Sequence, residues 1–84
     1  MVKNKTMSNI VSDFFLDLRG VKCPLNFVKI KLQLEKMNTG QVLEILIDEG
    51  EAVESVPPSV IQEGHKILEQ YEYEQYSLLL IKKQ

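Results

Sequence analysis

Val42-Leu-Glu-Ile-Leu-Ile47 constrains this chain more than any other stretch. It is almost wholly aliphatic and ends in the turn Asp48-Glu49-Gly50-Glu51, so residues 41–48 read as a central β-strand. The other segments must arrange themselves around it. Phe14 to Leu18 is a shorter apolar segment and reads as a first strand. Gly20 then turns the chain, and Pro24 suits the first position of a helix, where its missing N–H costs nothing. That helix is expected from Pro24 to about Met37, stopping at Asn38-Thr39-Gly40. A second helical region spans Glu51 to His65, with Pro57-Pro58 expected to end one helical turn and begin another, and Gly64 closing it. Lys66 to Glu72 and Gln75 to Lys82 read as strands joined in a hairpin around Tyr73-Glu74.

The order is β-α-β-α-β-β. Such a chain fits an α+β two-layer sandwich, a four-stranded mixed sheet with two helices on one face. At 84 residues it has material for one modest core. Residues 11–84 are expected to form that single domain, and residues 1–10 a flexible leader without a role in the fold.

On a helical wheel, Phe27, Ile30, Leu34 and Met37 form one apolar stripe of the first helix. Leu25, Val28 and Leu32 form a second, nearly opposite. The longer stripe suits the core. The shorter one either packs against the second helix or stays partly exposed as a docking patch.

Cys23 is the only cysteine in the sequence and stands directly before Pro24. A single cysteine excludes an internal disulfide framework, and one cysteine with one distant histidine does not make a zinc site. Position gives this thiol its interest. A thiolate at a helix N-terminus meets unpaired N–H groups and the positive end of the helix dipole, and both lower a thiol's pKa. A free thiol of pKa about 8.5 is roughly 3% ionised at pH 7, whereas one lowered to about 7 is half ionised. With Cys23 as N-cap, Asn26 would be the third helical residue and its N–H a donor to the sulfur.

Charge is unevenly spread. Up to residue 36 there are seven Lys/Arg against three acids, and beyond it three lysines against nine acids. Arg19 and Lys22 lie close enough in sequence to support a thiolate or steer an acidic partner. The acidic second half argues against nucleic-acid binding. Tyr71, Tyr73 and Tyr76 suit cross-strand packing in the hairpin. His65 suits a surface position or a helix C-cap. No stretch has the length of a membrane span or a signal peptide, so a cytoplasmic protein is expected.

Leu16-Asp17 and Gly20, leading into Cys23-Pro24 at the first strand–helix junction, resemble the TusA/SirA-like sulfur-carrier family. Asp48-Glu49, Pro57 and Gly64-His65 fit the same pattern, and the resemblance covers about residues 14–82. The family motif is Cys-Pro-x-Pro, and this chain has Cys23-Pro24-Leu25-Asn26. The resemblance implies a carrier that takes sulfur as a transient persulfide on Cys23, with no other cofactor. It also implies a cysteine desulfurase or rhodanese-like donor, and a sulfur-accepting protein in tRNA thiolation, molybdenum-cofactor synthesis or sulfur oxidation. Arg19, Lys22, Pro24, Leu25 and Asn26 are the candidates for supporting the thiolate or touching a partner. A proline in place of Asn26 has no N–H, so Asn26→Pro is expected to raise the thiol pKa. A non-catalytic protein- or RNA-binding module and a thiol-based redox regulator are the competing functions.

Overall fold

The computed structural model describes residues 11–84; the leader expected at residues 1–10 lies outside them. The elements are β1 (Phe14–Asp17), α1 (Leu25–Glu35), β2 (Val42–Asp48), α2 (Glu51–Gln62), β3 (Lys66–Glu72) and β4 (Tyr76–Lys82). They form one sheet in the order β1-β2-β4-β3. β1 runs parallel to β2, and β4 is antiparallel to both β2 and β3. β3 is therefore parallel to β2, and each helix is the crossover between two parallel strands. This is the expected α+β two-layer sandwich.

Strand alternation builds the core. Leu43, Ile45 and Ile47 of β2 lie opposite Ile81, Leu79 and Ser77 of β4, and all six are fully buried. Ile30, Leu34 and the following Met37 come down on this face from the α1 side, joined by Ala52, Val56 and Val60 of α2. The helices lie side by side and run in the same direction. Cys23 meets Ser55 and, eight residues further along each, Lys31 meets Glu63.

Three local expectations are corrected. α1 begins at Leu25, one residue late, because Pro24 takes φ −95° and ψ 8° and acts as the N-cap. It also closes early: the Lys36 and Met37 N–H groups reach back three residues, to the Gln33 and Leu34 carbonyls. α2 is a single helix through Pro57 and Pro58. The prolines remove the N–H donors that would reach the Val53 and Glu54 carbonyls. Val56 and Val60, however, are fully buried on one face with the prolines between them, which holds both halves in one helical register.

The shorter apolar stripe of α1 stays in solvent. Leu25, Val28 and Leu32 are 58%, 43% and 54% exposed. α2 lies beside α1 on the sheet rather than over it, so no other described element covers the outermost face of α1.

Candidate functional site

The loop from β1 to α1 is tied down where it leaves β1. The Leu18 N–H donates to the Leu46 carbonyl at 2.8 Å, and the Leu18 side chain enters the core. Asp17 accepts the Arg19 backbone N–H at 3.2 Å, and its two oxygens accept Arg19 Nε at 2.9 Å and Nη2 at 2.8 Å. These bonds hold the Asp17 carboxyl down at about 2 and raise Arg19 above its ordinary value. Arg19 also lies 5.0 Å over the Tyr76 ring, which is stacked at 5.0 Å on Tyr73. Gly20 takes φ 84°, a left-handed conformation that favours glycine, and donates its N–H to Asp48 Oδ2 at 2.8 Å. The loop is thus pinned to β2 through Leu46 and Asp48. It delivers Cys23 to the C-terminal edge of the parallel strands, exposed and with a free thiol.

The start of α1 differs from the expected cap. Cys23 precedes the N-cap, joined to Pro24 by a cis peptide. The Asn26 N–H donates to the Lys22 carbonyl at 3.1 Å, and the Val28 N–H to the Pro24 carbonyl at 3.0 Å. The Phe27 N–H is taken by Asn26 Oδ1 at 2.6 Å. Asn26 therefore offers no backbone donor to the sulfur, because its N–H makes the helix-type bond one residue earlier than expected. Leu25 N–H is the first-turn donor that carries no hydrogen bond among the described residues.

Asn26 is only 1% exposed, and its Nδ2 has no hydrogen-bond partner among the described residues. Its position on the wheel, beside Met37 at the edge of the buried sector, is the sequence signal that it faces inward.

Of the six candidates, Lys22, Pro24 and Leu25 adjoin Cys23 and are exposed with it. Lys22 makes no ion pair among the described residues. Arg19 is committed to Asp17 and Tyr76, and Asn26 to the helix interior.

Ser55 of α2 places its Oγ 3.9 Å from Cys23 Sγ. Nothing in the sequence near Ser55 signals this contact, which exists only because two helices in parallel crossovers pack side by side. His65 follows the end of α2, at the end of the molecule away from Cys23. Its Nδ1 accepts the Gln84 N–H at 3.2 Å, and burial, with the charge of Lys83, lowers its pKa.

No group of three or more His, Cys, Asp or Glu side chains among the described residues is arranged to hold a metal ion. No helix among them is long and apolar enough to cross a membrane.

What this arrangement can do is thiol chemistry on a surface. An exposed sulfur stands at the head of α1, and the exposed ridge Leu25-Val28-Leu32 runs away from it. On the wheel, Lys29 and Lys36 lie along one flank of the ridge, both exposed and without an ion pair among the described residues.

Residues 14–83 match the family model described as Sulfurtransferase TusA. A protein of Archaeoglobus fulgidus named "Putative sulfur carrier protein" is 40% identical over 85 residues, covering 99% of this chain and 97% of the relative. A protein of the same name from Thermotoga maritima is 41% identical over 54 residues, covering 64% of this chain and 68% of its own. The YedF protein of Escherichia coli K12, named in the same way, is 29% identical over 63 residues, covering 75% and 82%. The crystal structure of a SirA-like protein from Desulfitobacterium hafniense superposes with a TM-score of 0.69 at 18% identity. It covers 84% of this chain and 99% of its own, a likeness of fold.

Proposed function

The chain belongs to the TusA family, and on that premise we propose that it is a sulfur carrier whose cargo rides on Cys23 as a persulfide. The observation that carries the reading is the placement of the sole cysteine. It is a free, exposed thiol at the head of a helix, on a loop pinned to β2 and beside an apolar ridge.

Loading is a displacement. The Cys23 thiolate attacks the outer sulfur of a donor persulfide, and the donor's S–S bond breaks with its electron pair left on the donor cysteine. The outer sulfur keeps its own proton or charge, so Cys23 becomes a persulfide with no net oxidation. Unloading repeats the step. An acceptor thiolate attacks the outer sulfur, and Cys23 leaves as a thiolate.

The partners are a cysteine desulfurase or rhodanese-like donor and a sulfur-accepting protein. Both meet the same surface, because both must reach the same sulfur. The ridge Leu25-Val28-Leu32, flanked by Lys29 and Lys36 with Lys22 near its head, fits a partner face with an apolar centre and an acidic rim. The acceptor decides whether the sulfur goes to tRNA thiolation, molybdenum cofactor or sulfur oxidation.

Intact mass spectrometry tests the reading. The protein is incubated with an active cysteine desulfurase and cysteine, or with a rhodanese and thiosulfate. A gain of one sulfur atom is expected, removable by reductant and absent from Cys23→Ala. Unmodified protein in the presence of both working donors contradicts it, and retention of cellular function by Cys23→Ala would favour a binding module.

A further inference from the structure

We propose that the Ser55 hydroxyl is a second working group of this site, donating a hydrogen bond to the Cys23 sulfur whenever that sulfur carries negative charge. Ser55 Oγ is 3.9 Å from Cys23 Sγ, and this is the only hydrogen-bond partner of the Ser55 hydroxyl among the described residues. The distance is at the long end for sulfur. Both atoms, however, sit on rotatable Cβ bonds, and a hydroxyl turns its hydrogen toward whichever acceptor is charged. Contacts of this kind commonly tighten in the reacting complex.

The placement of Ser55 is fixed from below. It is half-buried, its carbonyl accepts the Ser59 hydroxyl at 2.9 Å, and the adjoining Val56 is fully buried in the core. The charged groups nearest this contact in the chain are Lys22 beside Cys23, and Glu51 and Glu54 in the first turn of α2. Their signs oppose, and all three are exposed, where solvent screens them. Among the described residues, the Ser55 hydroxyl is the side-chain group in hydrogen-bonding contact with the sulfur itself.

The proposal rests on the reading of Cys23 as the working thiol and adds a side chain that touches its sulfur. In loading, a hydrogen bond from the Ser55 hydroxyl stabilises the attacking Cys23 thiolate. In unloading, the bond between Cys23 Sγ and the outer sulfur breaks with its electron pair on Sγ, and Ser55 stabilises that leaving thiolate. Stabilising a thiolate also blunts it as a nucleophile, with a Brønsted slope of about 0.4–0.5. Losing the hydroxyl should therefore move two observables upward together.

The full-length protein is mixed with a small aromatic disulfide, and the rate of thiol exchange is followed against pH. For Ser55→Ala, the midpoint of the profile should rise by about half a pH unit, the loss expected for one modest hydrogen bond. The high-pH plateau should rise about 1.5- to 2-fold, while the rate well below the midpoint falls about twofold. Ser55→Thr, which keeps a hydroxyl, should restore the wild-type profile, with circular dichroism confirming that both variants are folded. A Ser55→Ala profile superimposable on wild type overturns the proposal. So does a folded Ser55→Thr that behaves as Ser55→Ala. Because the probe is a small disulfide, either result would leave sulfur loading by a donor enzyme, and the carrier reading, untouched.

Discussion

At the scale of the residue, Cys23 and Asn26 were unequally legible. The meaning of Cys23-Pro24 after Gly20 is local: a glycine turn, a helix-starting proline and a thiol between them. Asn26 is a supporting donor only if Cys23 is the N-cap, and the N-cap is Pro24. The structure gives its N–H to the Lys22 carbonyl and its Oδ1 to the Phe27 N–H, and buries the side chain. The role of Asn26 is therefore to build the first turn. Asn26→Pro removes the bond to Lys22 and leaves the Phe27 N–H without its acceptor. It should cost about 1–3 kcal/mol in urea denaturation. It should leave the pH midpoint of Cys23 thiol exchange unchanged, and an upward shift of that midpoint in a folded variant would show that Asn26 does serve the sulfur. Asp17, part of the family resemblance in the sequence, holds the turn before Gly20 through its bonds to Arg19.

At the scale of the element, α1 carries two apolar stripes, and periodicity alone could not say which neighbour the second would meet. That depends on where α2 lands, which is a property of the sheet order. The ridge Leu25-Val28-Leu32 remains in solvent, so polar substitutions there should cost little in folding and much in docking. The double variant Val28→Gln/Leu32→Gln is expected to keep its stability within about 0.5 kcal/mol of wild type. Its exchange with a small disulfide should be unchanged. Its loading by a cysteine desulfurase should slow several-fold, read by the time course of the sulfur adduct. Loading at the wild-type rate would remove the ridge from the donor interface. α2 shows the opposite failure of local reasoning. Pro57-Pro58 predicts a break, but the four-residue spacing of Ala52, Val56 and Val60 on the core overrides it.

At the scale of the whole molecule, the order β-α-β-α-β-β and the two-layer architecture were readable from hydrophobic runs and turn residues. The sheet order β1-β2-β4-β3 and the parallel course of the two helices were not, because pairing between distant strands leaves no local mark. Ser55 was missed for that reason: it is 32 residues from Cys23 in the chain. The same architecture sends the far end of α2 to meet the C-terminus through His65 and Gln84.

The fold lowers the pKa of His65 below its ordinary 6.5, so the folded state binds fewer protons than the unfolded state in the window below that value. The stability this contributes is complete above pH 6.5 and is lost as pH falls through the lowered folded value. Protonation at Nδ1 would also end its acceptance of the Gln84 N–H. The urea midpoint of wild type should therefore fall as the pH is taken below 6.5, and that of His65→Gln should fall less over the same interval. Parallel profiles would exclude His65 as the source.

The central claim is that one sulfur atom arrives at Cys23 from a donor protein and can leave again. Site-resolved mass spectrometry of the protein loaded by a cysteine desulfurase and cysteine, alkylated and digested, tests it most directly. The account predicts one added sulfur on the peptide containing Cys23, lost when the loaded protein is treated with dithiothreitol before alkylation. Added sulfur elsewhere in the chain, or none on that peptide while the donor is turning over, would contradict it.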